Sequence, residues 1–279
     1  MIKYILLIFL TALLSCKKEI IPSRTQNFPK NELQVEKVPE KENVWVFMLA
    51  GQSNMAGRGL VEPQDTIPSH RVLTINKDAE LIVAKEPLHF YEPTMTGLDL
   101  GLSFGKELIR HLPDSISVLI IPTAVGGSGI THWLEDQVFR NVQLFSNFKE
   151  KAIIGQQYGT MKGILWQQGE SDAVREENTQ LYQQRLSKLT QMFREVTGND
   201  RLPVIFGELG SFSKNREQWE KINEQIGKYA ATDSLTGIVE TGDMKDKGDK
   251  VHFDSESLRI MGQRFAQEYL NILNDSSEQ

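Results

Sequence analysis

Four polar or glycine-rich stretches of the chain hold the residue types that nucleophilic acyl transfer needs. In Gly51-Gln52-Ser53-Asn54-Met55-Ala56-Gly57 a serine stands between glycines, directly after the apolar run Val44–Ala50. A hydroxyl at the end of a buried strand is a candidate nucleophile, but a base must take its proton. Asp249-Lys250-Val251-His252 offers that base in His252. Asp249, three residues earlier, can face the ring on one turn, hold its other nitrogen, fix the tautomer and stabilise the imidazolium. A tetrahedral intermediate also needs donors aimed at its oxyanion. The candidates are the Ser53 N–H, the Gly127 N–H of Val125-Gly126-Gly127-Ser128-Gly129, and the Gln168 side-chain amide of Trp166-Gln167-Gln168-Gly169-Glu170-Ser171-Asp172. Each alone has an ordinary explanation: a turn, a loop with positive φ, a satisfied core amide, a capping aspartate. Together, and in this order, they are far more specific.

The elements that carry these stretches alternate strand and helix. Apolar runs at Val44–Ala50, Ser117–Ile121, Gly163–Trp166, Pro203–Phe206 and Gly237–Glu240 read as strands. Val72–Ile75 and Glu80–Val83 flank Asn-Lys-Asp-Ala as a small hairpin inserted after the serine loop. Helical spacing marks Leu98–Leu112, Glu176–Val196, Asn215–Ala231 and Ser255–Asn274. Such β-α alternation predicts an α/β fold with a central parallel sheet between helices, whose ligands gather at the C-terminal strand ends. The four stretches follow the first, second, third and fifth strands and so converge on one rim.

With 279 residues the chain has room for one α/β domain or two small ones. The net charge of −6, with acids and bases interspersed and no basic block, argues against a nucleic-acid partner. The single cysteine, Cys16, excludes an intramolecular disulfide and a multi-cysteine zinc site. No His/Asp spacing suggests a metal site, and neither metal nor cofactor is expected. His70, His89 and His111 are read as surface or structural residues, whereas His132 lies near enough to the glycine motif to line a pocket.

The first residues read as a targeting segment. Met1-Ile2-Lys3 is a short positive region, and Tyr4–Leu14 is apolar but too short to span a bilayer comfortably. Leu13-Leu14-Ser15-Cys16 resembles a bacterial lipobox, cut before a cysteine that then carries lipid. The expectation is a signal peptide over 1–15, lipidation of Cys16 and a membrane-anchored lipoprotein of the cell envelope, at the outer membrane. Lys17-Lys18-Glu19 resembles a surface-export signal of such proteins. An ordinary secretory signal is the alternative. Residues 16–43, rich in Lys, Glu, Pro and Asn without a sustained period, are expected to be a solvated tether ahead of a domain at 44–275.

The motifs Leu-Ala-Gly-Gln-Ser-Asn-Met-Ala-Gly-Arg-Gly, Ala-Val-Gly-Gly-Ser-Gly-Ile-Thr-His-Trp, Ile-Leu-Trp-Gln-Gln-Gly-Glu-Ser-Asp-Ala and Asp-Lys-Val-His-Phe-Asp resemble, in order, the blocks of the SGNH (GDSL-like) hydrolases. The closer likeness is to the sialate O-acetylesterase-like domain of carbohydrate esterase family six, which includes acetyl xylan esterases. The resemblance covers nearly all of 44–273. It implies a three-layer α/β/α flavodoxin-like fold, a Ser53–His252–Asp249 triad, and Gln168 in the oxyanion hole where most SGNH enzymes use asparagine. Glu170 is a candidate to brace the site or, with Asp172, to stabilise a helix N-terminus by its charge, and Asn54 is a candidate to brace the site or to bind substrate. Arg58 is a candidate to contact sugar hydroxyls or to pair with an acid, and Trp133 and Trp166 offer stacking faces or core bulk. The function expected is removal of acetyl groups from a xylan-type polysaccharide or oligosaccharide. The alternatives are a sialate O-acetylesterase acting on host glycans and a catalytically inert glycan-binding lipoprotein.

Overall fold

The computed structural model describes residues 23–277. The strands are β1 (Leu33–Gln34), β2 (Val44–Gly51), β3 (Val72–Ile75), β4 (Leu81–Val83), β5 (Ser117–Pro122), β6 (Val138–Phe139), β7 (Val142–Gln143), β8 (Thr160–Gln167), β9 (Val204–Gly207) and β10 (Thr236–Val239). The helices are α1 (Ser53–Ala56), α2 (Gly101–Leu108), α3 (Ile130–Leu134), α4 (Leu144–Tyr158), α5 (Glu176–Gln180), α6 (Tyr182–Thr197), α7 (Arg216–Ala230) and α8 (Ser255–Ser277).

The main sheet runs β1-β4-β3-β5-β2-β8-β9-β10, and β3 through β10 in that order pair in parallel. The central sheet is parallel, as the alternation implies, and it carries an antiparallel edge. β4 runs antiparallel to β3, and β1 antiparallel to β4, so the expected hairpin extends the main sheet as its edge. A short connection allows this, because antiparallel neighbours need no crossover helix. β2 is central and alternates its load: Val46, Met48 and Ala50 enter the core under α4, α6 and α7, while Phe47 and Leu49 enter the core under α2 and α8. Both faces are thus covered, which gives the three layers expected. From β2 the chain passes out to β3 and β4 and returns to β5 on one side, then builds outward through β8, β9 and β10 on the other. The strand order reverses at β2, the place where ligand sites form in such sheets, beyond the carboxyl ends of the strands.

The stretch expected to be a solvated tether is corrected where it is described. Residues 24–35 lie against the domain. The Arg24 guanidinium donates to Thr96 O and, at 3.1 Å, to Pro93 O. Asn27 Nδ2 donates to Val61 O at 2.9 Å, and Lys85 Nζ to Asn31 O at 2.8 Å. Phe28 packs on the α2/α8 core and Leu33 and Val35 on the opposite one. Burying these apolar groups and pairing β1 outweighs the stretch's polar composition. The expected signal peptide at 1–15 and lipidated Cys16 lie outside the described residues.

Candidate active site

The serine loop is built by a close approach of two strands. Gly51, at φ +136°, pairs with Gln167 at the end of β8, and a Cβ on it would lie 2.2 Å from Gln167 O. Only glycine lets β2 run this close before turning into α1. The turn is fixed by Gln52 N donating to Gln167 O (3.0 Å) and Gln52 O accepting from Met55 and Ala56. Ser53, the first residue of α1, is 6% exposed.

Its hydroxyl lies 3.0 Å from His252 Nε2, and His252 Nδ1 lies 2.8 Å from Asp249 Oδ2. The Asp249 Oδ1 accepts from the backbone of Val251 (2.9 Å) and His252 (2.8 Å), so one carboxylate both shapes the turn and orients the ring. Asp246 and Asp254, the other acids near the histidine, are used otherwise. Asp246 accepts from the backbone of Gly248 and Lys250, and Asp254 from Ser257 N at the start of α8. Burial alone would raise the Asp249 carboxyl, but the His252 and Val251 bonds bring it down to about 2. Burial lowers the His252 pKa and outweighs the opposing pull of Asp249. The ring is therefore neutral near pH 7, with Nε2 able to take a proton once Nδ1–H is held by the carboxylate.

Asn54 ties the two loops together. Its Oδ1 accepts from Phe253 N at 3.1 Å, and its Nδ2 donates to Val251 O at 3.1 Å, so it grips the chain on both sides of His252. The same Nδ2 donates to Glu170 Oε1 at 2.5 Å. Glu170 is buried, its Oε2 has no partner among the described residues, and burial raises its pKa to about 7.

Among the oxyanion candidates, Gly127 has φ +82°, and no backbone acceptor among the described residues takes the Ser53 or Gly127 N–H. Gln168 is different. It is fully buried, and its Nε2 lies within hydrogen-bond distance of Asp172 Oδ2 (2.7 Å), Gln52 Oε1 (3.0 Å) and Ser128 O (3.2 Å). Its Oε1 accepts from Tyr182 at 2.9 Å. Two amide hydrogens facing three protein acceptors leave none for a substrate, so the expected oxyanion contact of Gln168 is corrected to an internal one. Arg58 is likewise internal: it is 7% exposed and pairs with Glu92 Oε2 at 2.7 Å, the acid-pairing alternative. Glu92 also accepts from Gly126 N at 2.7 Å, which anchors the glycine loop. Trp133 and Trp166 are fully buried and meet edge to face at 5.4 Å, so they are core and not stacking platforms. His132 accepts from Gly129 N at 2.8 Å through Nδ1 and packs on Phe139. His89 is a buried partner of Asp99 at 2.7 Å.

One residue near the site was not legible beforehand. Arg140, at the tip of the β6–β7 hairpin, is 45% exposed in its side chain and lies 3.2 Å from Glu92 Oε1. Its guanidinium stands beside Gly127, 3.8 Å from where a Cβ there would lie. Two arginines thus share one carboxylate. The only local signal was an arginine-asparagine turn, and both residues take positive φ, +49° and +64°.

The chain matches the family described as carbohydrate esterase, sialic acid-specific acetylesterase, over residues 43–271. A probable carbohydrate esterase of Arabidopsis thaliana is 28% identical over 244 residues, 81% of this chain and 90% of that protein. A solved Arabidopsis thaliana protein structure has a TM-score of 0.72 at 25% identity, covering 81% of this chain and 98% of that one. The crystal structure of NanS has a TM-score of 0.67 at 17% identity, covering 86% and 100%. The last likeness speaks to fold alone.

Proposed function

Since this chain belongs to the sialic acid-specific acetylesterase family of carbohydrate esterases, we propose that it hydrolyses acetyl esters of a xylan-type polysaccharide or oligosaccharide by a Ser53 acyl-enzyme mechanism. The observation that carries the mechanism is the continuous relay Ser53 Oγ, His252 Nε2, His252 Nδ1, Asp249 Oδ2, with links of 3.0 and 2.8 Å. In this reading Ser53 Oγ attacks the acetyl carbonyl as His252 takes its proton, and His252 then protonates the departing sugar oxygen. Water, deprotonated by the same ring, releases acetate. Ser53→Ala and His252→Ala should each lower kcat on 4-nitrophenyl acetate by about four orders of magnitude or more, and the double variant little further. A Ser53→Ala protein that folds normally and keeps most of its activity would end this mechanism.

A second reading, a sialate O-acetylesterase, is favoured by Arg140. Its partly exposed guanidinium, only half-neutralised by the shared Glu92, suits a sugar that bears a carboxylate. Acetate release from acetylated xylan and from O-acetylated sialic acid, measured side by side on the parent and on Arg140→Ala, separates the two. Loss confined to the sialic acid substrate would support the second. In the same proposal Cys16 carries lipid and holds the enzyme at the bacterial envelope, supported by the Leu-Leu-Ser-Cys pattern after an apolar run.

A further inference from the structure

Gln52, the residue before the candidate nucleophile, is 3% exposed and held at both ends of its amide's acceptor side. Its Oε1 accepts from Gln168 Nε2 (3.0 Å) and from Ser171 N (3.2 Å), both in the loop after β8. Those two bonds fix the amide plane. No acceptor among the described residues bonds this nitrogen, yet it is not sealed from solvent. The backbone of Gln52 is itself pinned by Gln167 O, Met55 N and Ala56 N. The result is a preorganised amide donor, unused by the described residues, at the carboxyl end of β2 and adjacent in sequence to Ser53.

We propose that Gln52 Nε2 is the third donor to the oxyanion, beside the Ser53 and Gly127 backbone N–H groups, and that Gln168 positions it from behind. The inference rests on Ser53 serving as nucleophile. As Ser53 Oγ bonds to the acetyl carbon, its proton passes to His252 Nε2 and the carbonyl π pair moves onto the carbonyl oxygen, where Gln52 donates to it. When the intermediate collapses, that pair re-forms the C=O bond and the sugar oxygen leaves with the proton from His252. A donor that stands ready and needs no reorientation stabilises the developing charge without reorganisation. Gln168 cannot do this while its hydrogens face Asp172, Ser128 and Gln52.

Gln52→Glu keeps an oxygen for Gln168 and Ser171 and removes the N–H. It should lower kcat on 4-nitrophenyl acetate by about 10²–10³-fold, with KM changed by no more than about threefold. A folded Gln52→Glu protein with kcat within about threefold of the parent overturns the inference. A second measurement needs no variant: the crystal structure of the parent protein phosphonylated on Ser53 by a 4-nitrophenyl alkylphosphonate. Gln52 Nε2 should lie about 2.7–3.1 Å from the phosphoryl oxygen. A phosphoryl oxygen that instead meets Gln168 Nε2 overturns the assignment. A parent that neither hydrolyses acetate esters nor reacts with the phosphonate removes the serine-esterase reading itself, and this inference with it.

Discussion

At the scale of the residue, Asn54 ties the serine loop to the histidine loop. It holds Val251 O and Phe253 N and so fixes His252 from both flanks. Asn54→Ala should therefore lower kcat by about 10–100-fold through misplacement of the ring, with KM nearly unchanged, because displacements of this kind act on reacting geometry more than on binding. Steady-state kinetics checks this, and an equal fall in kcat/KM through KM alone would contradict it. His252 sets a second expectation. Its pKa is lowered by burial, so the acid limb of the kcat/KM profile should fall below pH 6.5, the ordinary histidine value. A limb above that value would mean that another group controls the base. Glu170 adds a stability effect. Its carboxyl is raised by burial to about 7 in the folded chain, whereas the unfolded chain ionises near the ordinary glutamate value of 4.5. Between those values the unfolded state has lost a proton that the native state keeps, so stability falls as pH rises through this window. Thermal melts of Glu170→Gln should show less of that decline between pH 5 and 7 than the parent.

At the scale of the element, the arm before β2 is the least expected part of the fold. Phe28, Leu33 and Val35 are isolated apolar residues in a polar stretch, and no periodicity marks them. Their partners come from β4, the loop before α2 and both cores, which only the tertiary structure brings together. A chain begun at Asn43 loses β1, the Phe28 contact and the Arg24 bonds. If these contribute roughly 2 kcal/mol, its Tm should fall by about 4–8 °C relative to a chain begun at Ser23. Equal melting temperatures would show that the arm adds nothing. The helices divide in the same way. α7 carries its core residues Trp219, Ile222, Ile226 and Tyr229 at clear spacing and was legible over Asn215–Ala231. α4 was missed because its buried face includes Lys151 and Gly155, and a Cβ at Gly155 would crowd Ile121 and Val46 of the sheet. There the sequence favours close approach over an apolar stripe. The single helical pattern over Glu176–Val196 is two helices, α5 and α6, joined at Leu181.

At the scale of the whole molecule, the order of motifs along the strands was enough to assemble Ser53, Asp249 and His252, because each follows a strand of one parallel sheet whose carboxyl ends share a rim. The role of Gln168 was not legible, since its acceptors Gln52 and Ser128 lie 116 and 40 positions away. The proposed lipid on Cys16 has a direct check: Cys16→Ser should no longer partition with membranes, and a variant that is processed and fractionates like the parent would favour an ordinary secretory signal. The architecture has one more consequence. Ser53 Oγ and His252 Nε2 are separated by 199 positions, and every strand of the parallel sheet lies between or beside them. An incomplete chain, lacking the loop before α8, has a hydroxyl with no base. On the proposed mechanism, catalytic competence is a property of the finished fold, acquired late, and an unfolded chain stays chemically silent until its last loop meets its first.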